Sequence, residues 1–533
     1  MSGAEDLGGV LLEEAPPAQS RGAGARPTYW LTRFVILRLL GFVYFFAFLS
    51  LAQQVLPLIG SKGLLPAAAF LHRAEAHFGS PDAAFAAIPS LFWLHLSDRA
   101  LVVLAWTGAA LSLVVLAGFA NALLLALLWA LYLSFVHIGQ DWYAYGWEIQ
   151  LLETGFLSIF LVPLVDARPF PRRPPPTIVI WLYRWLIFRI MLGAGLIKIR
   201  GDACWRELTC LDTHYETQPI PNPLSLYLHF LPRPFHRTGV LFNHVTELVA
   251  PWFAFGPRGV RHVAGGIMLA FQVFLILSGN LSFLNYVTIV PILACFDDSL
   301  LRRVLPRRIV AAAERARDGA RSSRAHLVLA GALAVVVALL SVNPVANLLS
   351  GRQIMNTSFD PLGLVNTYGA FGAVGKERPE IVFEGTDDET ITDRTRWRPY
   401  AFKCKPGDPN RRPCVVAPYQ PRLDWAIWFA AMSTPGNYPW TVHLVWKLLH
   451  NDPGALSLLD ANPFPDRPPR AIRATLYRYR FARPGNPEGL WWDREQIGTW
   501  IPPLTADDPR LYRFLLGHGW IGASGDSGPA PGP

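Results

Sequence analysis

Apolar and polar positions alternate along this chain on the scale of whole segments. Between roughly residues 30 and 350, apolar runs near 33–52, 101–119, 121–138, 149–165, 177–198, 239–256, 261–279, 281–296 and 327–349 are separated by polar loops. About 20 apolar residues carry a helix across the ~30 Å hydrocarbon core of a bilayer. The pattern therefore predicts a polytopic α-helical membrane domain of about nine spans over 29–350, the sixth and eighth being the weakest. Past residue 350 the period shortens. Glu380–Glu384 and Arg473–Phe481 read as β-strands, while Leu423–Met432 and Trp440–His450 have helical spacing. An α+β domain rich in β-strands is expected over 351–521, with disordered termini at 1–28 and 522–533.

Composition supports this division. The chain is 52% hydrophobic and only 16% charged, where a soluble protein carries about a quarter charged residues. The formal charge of +9 does not indicate a nucleic-acid partner, because the arginines lie mostly between apolar runs, where they set membrane orientation. The linker 297–326 holds eight arginines against four acids and is expected in the cytoplasm. Alternation then places 257–262 (Arg258, Arg261), 166–176 (Arg168, Arg172, Arg173) and the N-terminus (Arg21, Arg26) on that same side. The loops 56–100, 139–148 and 199–238, and everything after 350, fall on the other side, the ER lumen or periplasm. The N-terminus lacks a cleavable signal pattern, so the run from Phe34 is expected to serve as anchor and insertion signal.

Cysteine placement fits that map. Cys295 lies in the eighth run, whereas Cys204 and Cys210, and Cys404 and Cys414, fall on the oxidising side where disulfides persist. Each pair closes a short loop, so Cys204–Cys210 and Cys404–Cys414 are the simplest bridges, although three pairings of four cysteines exist. Neither pair has zinc-site spacing, and no metal is expected.

Charged groups in membrane spans are functional candidates by default. His137, Asp141, Glu148, Glu153, Lys198, Arg200, His244 and Glu247 all fall at the non-cytoplasmic ends of their runs and predict a polar chamber there. His244 and Glu247 are three apart and could bond on one helix face. The alternative is mutual neutralisation that ties the helices together. Arg184 and Arg189, deeper in the fifth run, call for acidic partners such as Glu153. The stretch Asp141–Trp147 reads as an interfacial aromatic belt. Asn356-Thr357-Ser358 is a glycosylation sequon on the non-cytoplasmic side. No nucleophile elbow, phosphate loop or dinucleotide fingerprint occurs, so no cofactor is expected. No paired inverted repeats argue for a transporter.

Four blocks carry a resemblance. Residues 191–229 read MLGAGLIKIRGDACWRELTCLDTHYETQPIPNPLSLYLH, 355–372 read MNTSFDPLGLVNTYGAFG, and 401–432 read AFKCKPGDPNRRPCVVAPYQPRLDWAIWFAAM. With LLHNDP and PPRAIRATLYRYRF in 448–481, they resemble the lipase maturation factor family over about residues 30–500. That resemblance implies a multi-pass ER membrane protein that assists folding, assembly and export of secreted dimeric lipases. It implies no enzymatic role and gives the C-terminal domain the client contact, with Trp425, Trp428 and Trp440 as candidates. The Ala-, Pro- and Arg-rich composition points to a GC-rich genome. The membrane expected is that of the ER in a eukaryote or the inner membrane in a bacterium. A shorter stretch, Ala194–Ile199 followed by Trp205, is similar to the segment around the catalytic base of vitamin K-dependent carboxylase. It implies as the alternative a membrane enzyme with Lys198 as base, assisted by His244 and Glu247.

Overall fold

A computed structural model describes residues 27–521, so the disorder expected at 1–26 and 522–533, and Arg21 and Arg26, lie outside the described residues. The N-terminal part is helical, and the C-terminal part adds strands. Among the described residues, five helices are long and apolar enough to cross a membrane: Trp30–Ile59, Asp98–Ala117, Thr177–Arg200, Arg258–Ser278 and Arg324–Leu349. Leu284–Cys295 with Asp298–Val304, bent by 119°, makes a sixth if taken together.

The expected nine is not reached by this measure, and proline accounts for much of the shortfall. Run 121–138 forms a helix of 17 residues, Ala122–Ile138. Run 149–165 forms Gly146–Ile159, which ends before Pro163. Run 239–256 breaks into Arg233–His244, a π turn at Val245–Val249 and a 3₁₀ segment Ala250–Phe255 that contains Pro251. Proline has no N–H to donate and its ring crowds the preceding turn, so the helical ladder is weakened at that point. Glycine does the opposite service where helices cross. A Cβ on Gly41 would lie 2.6 Å from Leu116 N, and one on Gly108 would lie 2.4 Å from the Phe48 ring. Small residues let the Trp30–Ile59 and Asp98–Ala117 helices pack this closely.

Hydrogen bonds gather the loops into two sets. In one, Trp30 N and Leu31 N donate to Asp298 at 3.0 and 2.8 Å, and Arg258 and Arg261 each pair with Asp297 at 3.0 Å. Arg33 joins them by donating to Arg173 O at 2.8 Å, and Ala120 N donates to Ala167 O at 3.0 Å. The other set meets the C-terminal part. Gln54 donates to Gln420 O at 2.8 Å, His443 bonds Leu64 O at 2.8 Å, and Asn280 donates to Cys414 O at 3.0 Å.

The C-terminal part is built on a four-stranded antiparallel sheet. Its strands are β1 (Arg378–Thr386), β2 (Arg398–Pro399), β5 (Ala471–Phe481) and β6 (Trp492–Thr505), in the order β2-β1-β5-β6. Short strands β3 (Ala401–Phe402) and β4 (Leu459–Ala461) pair separately. Pairings such as Glu380↔Tyr477 and Val382↔Thr475 fix the β1–β5 register. The helices Arg422–Ala431 and Trp440–Leu449 back onto β1 and β5 and present their other faces to the bundle. One contiguous apolar cluster runs from Ile36 in the first helix to Ile472 in β5. Inside the sheet, buried Glu380 is held by Arg378 at 2.6 Å and Lys405 at 2.8 Å.

His443 couples this arrangement to pH. Its Nδ1 bonds Leu64 O, and its ring stacks on Trp520 at 4.8 Å. Burial, reinforced by Lys447, lowers its pKa from 6.5 to about 3, so the native ring is neutral. The unfolded chain takes up a proton below about 6.5 and the native state does not. Stability is therefore lost as pH falls through that range, by about 1.4 kcal/mol per pH unit for this one group. We expect the melting temperature of the detergent-solubilised protein to drop between pH 7 and pH 5, and the drop to be shallower in His443→Gln. Equal slopes in the two proteins would remove His443 as the cause.

Candidate functional site

The charged residues singled out by their position do not form one chamber. Glu148, Glu153, Lys198 and Glu247 separate into three buried clusters, each closed by a partner from elsewhere in the chain. Glu148, at the start of the Gly146–Ile159 helix, accepts from Arg422 at 2.8 Å and Trp147 Nε1 at 3.0 Å, and also from the Tyr132 hydroxyl. Arg422 heads the Arg422–Ala431 helix, so this pair pins the C-terminal part to the bundle.

Glu153, one turn further along, accepts from Arg189, from Asn366 N at 3.0 Å and from the Tyr368 hydroxyl at 2.7 Å. Arg189 also donates to Asn366 O at 2.7 Å. The expected Arg189–Glu153 pair is present. Arg184 instead donates to Ala294 O at 2.9 Å and the Tyr29 hydroxyl at 2.8 Å, since carbonyl and phenol oxygens reach it where no carboxylate does.

The third cluster contains Lys198. Its Nζ donates to Glu247 Oε1 and Oε2 at 2.7 and 2.8 Å and to Asn243 Oδ1 at 2.8 Å. Asn243 Nδ2 donates back to Glu247 Oε2 at 2.7 Å. Gly195 makes the approach possible, because a Cβ there would lie 3.0 Å from Glu247 Cβ and 2.6 Å from Leu248. The Trp205 ring centroid lies 4.8 Å from Nζ, and a cavity of about 440 Å³ opens beside the cluster. The expected His244–Glu247 bond is absent. His244 Nε2 bonds Trp205 O at 3.0 Å, and the π turn that begins at Val245 directs Glu247 to Lys198.

The remaining candidates disperse. His137 Nε2 bonds Pro361 O at 2.9 Å, Arg200 donates to Gln353 Oε1 at 2.9 Å, and Asp141 is exposed. The aromatic stretch is no interfacial belt. Trp142 packs on Trp440 at 4.8 Å and Trp147 on Trp425 at 4.9 Å, because the C-terminal helices cover it. Trp425 and Trp440 are therefore buried in the seam between the two parts, and Trp428 is half-buried with its indole donating to Thr217 O at 3.1 Å. Trp425 and Trp440 therefore present no free ring surface to a client, which corrects their candidate role, while Trp428 stays partly exposed. The disulfides are Cys204–Cys210 and Cys404–Cys414, and Cys295 is a buried free thiol.

Arg422, Asn366, Tyr368 and Asn243 escaped sequence reasoning. Asn366 and Tyr368 lie inside the NTYG of the 355–372 block, which was the one signal for them.

An apolar helical bundle with a strand-containing unit locked to one end by a buried ion pair defines an integral membrane protein. Residues 31–303 match the profile described as the lipase maturation factor transmembrane domain, and 364–502 that of the lipase maturation factor C-terminal domain. The chain is 50% identical to lipase maturation factor 1 of Bos taurus over 530 residues, covering 94% of each chain. It is 48% identical to lipase maturation factor 1 of Homo sapiens, over 98% of this chain and 95% of the relative. Against lipase maturation factor 2 of Homo sapiens the identity is 29%, over 93% of this chain and 85% of the relative. No solved structure matches. The chain belongs to the lipase maturation factor family. The carboxylase-like alternative draws no support from these matches.

The Glu148–Arg422 pair makes a direct test of the lock. Removing one member of a buried pair leaves the other charge uncompensated, at a cost of about 3–5 kcal/mol. Glu148→Ala and Arg422→Ala should each lower stability by that order and expose the C-terminal part to limited proteolysis. The double variant should cost clearly less than the sum of the two. Additive losses in the cycle would mean that the two side chains do not interact.

Proposed function

We propose that this protein is a non-enzymatic maturation factor of the ER membrane that assists folding, assembly and export of secreted lipases. The observation that carries the reading is near 50% identity to lipase maturation factor 1 over almost the whole chain. The docking geometry supports it. A folding factor gains from a rigid client-facing unit, and the C-terminal part is tied to the bundle through Arg422, Asn366 and Tyr368. The client surface is assigned to the exposed faces of this part, since Trp425 and Trp440 are committed to the seam.

The proposed topology has nine crossings, with the N-terminal end cytoplasmic and the C-terminal part luminal. Its support is the division of loops into two bonded sets. The first helix starts at Asp298 and ends beside Gln420, and the seventh and eighth runs likewise link Asp297 to the loops that hold the C-terminal part. The six-arginine stretch 302–317 that includes Arg302, Arg307 and Arg315 belongs to the Asp297 side and gives it the cytoplasmic sign.

Two experiments test this reading. Cells lacking their own lipase maturation factor should regain secreted lipoprotein lipase activity when this chain is expressed. No rescue at matched levels of folded protein would end the lipase assignment. For orientation, impermeant maleimide should label His518→Cys from the luminal side and Arg308→Cys only after the cytoplasmic face is opened. Labelling of both from one side would rule out an odd number of crossings between them.

A further inference from the structure

The cavity beside Lys198 has a volume of about 440 Å³, within the ~300–1,000 Å³ range of small-molecule sites. Most of its wall is apolar, including Met191, Phe242 and Phe271. Its polar groups cancel in charge. Lys198 and Glu247 neutralise each other, with Asn243 completing the triad, and Asn285 donates to Gln272 Oε1 at 2.8 Å. His214, on the short helix Leu211–Thr217, also faces the cavity. Burial, and then Lys198, lower its pKa to about 4, which keeps it neutral. Tyr215 is one of the lining residues, and among the described residues its buried hydroxyl has no hydrogen-bond partner. An unpaired buried hydroxyl is costly, and a ligand oxygen or nitrogen would relieve it.

The mouth of the cavity is set by Thr238 on the Arg233–His244 helix and Ala270 on the Arg258–Ser278 helix, which line it and are also exposed. Around this mouth the exposed residues Leu241, Val273 and Leu277 are apolar. A mouth flanked in this way, on a helix long enough to cross the bilayer, opens to acyl chains and not to water. Glu247 lies in the irregular segment with the π turn, which follows directly on the helix that carries Asn243. Non-helical backbone at membrane depth is tolerated where it lines a cavity or is buried in protein.

We propose that this cavity binds an uncharged amphipathic lipid with an apolar body and a hydroxyl- or carbonyl-bearing head. The lipid enters sideways from the bilayer between the Arg233–His244 and Arg258–Ser278 helices. Its head group bonds the Tyr215 hydroxyl, and its tail lies along Met191 and Phe271. A carboxylate or phosphate head is disfavoured because Glu247 already claims the one cation in the wall.

The test uses full-length protein in nanodiscs and a diazirine-bearing monoacylglycerol, with the corresponding diazirine fatty acid as the anionic comparison. Saturable labelling of peptides spanning 235–242 and 270–275 is expected, with competition by unlabelled monoacylglycerol and weaker labelling by the fatty acid. Ala270→Trp plugs the mouth and should cut labelling at least about tenfold, while Val263→Trp, exposed two turns (~10 Å) away along the same helix and outside the cavity lining, should not. Thr238→Trp plugs the mouth from the opposite wall and serves if Ala270→Trp accumulates poorly. Tyr215→Phe should weaken apparent affinity about 3–10-fold. Non-saturable labelling, or equal labelling in the plugged and Val263→Trp proteins, would identify annular lipid only and overturn the proposal. Preference for the fatty acid would overturn the assignment of an uncharged head.

Discussion

A carboxylate taken out of water must find cations and donors, and the partners that Glu148 and Glu153 find decide how this chain is put together. Glu148 is buried, and its cation comes from Arg422, 274 residues further along the chain. Glu153 is paired within the bundle by Arg189, but its remaining acceptor capacity is filled by the backbone and side chain of Asn366 and by Tyr368. Charge burial without such partners costs several kcal/mol per ion. The bundle is therefore electrostatically incomplete until the later segment has docked. Interfaces between domains of one chain are ordinarily small and polar enough to move. This one contains a buried ion pair, a second carboxylate site and two aromatic contacts between tryptophans, so it is part of the core.

That constraint also explains which features were legible from the sequence. Local spacing carries the face that a segment buries, so the apolar runs, the strands around Val382 and Leu476, and the helices beginning near Arg422 and Trp440 could all be read. The two cysteine pairs could be read as well, because each closes a loop of 6 or 10 residues. Periodicity does not say which faces meet. The Trp142 and Trp147 rings look like lipid-facing anchors until the helices bearing Trp440 and Trp425 are laid over them. Arg422 looks like an ordinary helix-start residue until Glu148 is brought to it. A pairing rule for a regular helix misassigned His244 to Glu247, because the π turn that follows His244 turns the carboxylate toward a different helix.

The span count was harder to read for a related reason. Hydropathy counts apolar residues and is blind to the backbone they form. Pro251 and Pro163 interrupt or end runs that are apolar enough by composition, and the segments around them become short or irregular helices. Such segments cannot present a uniform apolar cylinder to lipid. They are viable where protein surrounds them, as the buried Glu148, Gln150 and Glu153 of the Gly146–Ile159 helix illustrate. Among the long helices burial varies: only 22% of the apolar window in Arg324–Leu349 is buried, against 83% in Thr177–Arg200. The broken segments form the interior together with the Thr177–Arg200 helix, which carries Arg189 and Lys198.

The cavity and the docking seam share one stretch of chain. Residues Ala370 and Phe371 line the cavity, and Asn366 and Tyr368, a few residues earlier, complete the Glu153 site. Trp205 spans the two. Its indole donates to Phe371 O at 2.8 Å, its ring lies over Lys198, and the Cys204–Cys210 bridge closes the loop that carries it. Asp202 N, in the same loop, donates to Gly372 O at 2.9 Å. A change in what fills the space beside Lys198 is therefore a change in the packing of the segment that joins the bundle to its C-terminal part. Because that segment is held by charge-assisted hydrogen bonds at one end and a disulfide-closed loop at the other, it has little freedom to absorb a displacement locally.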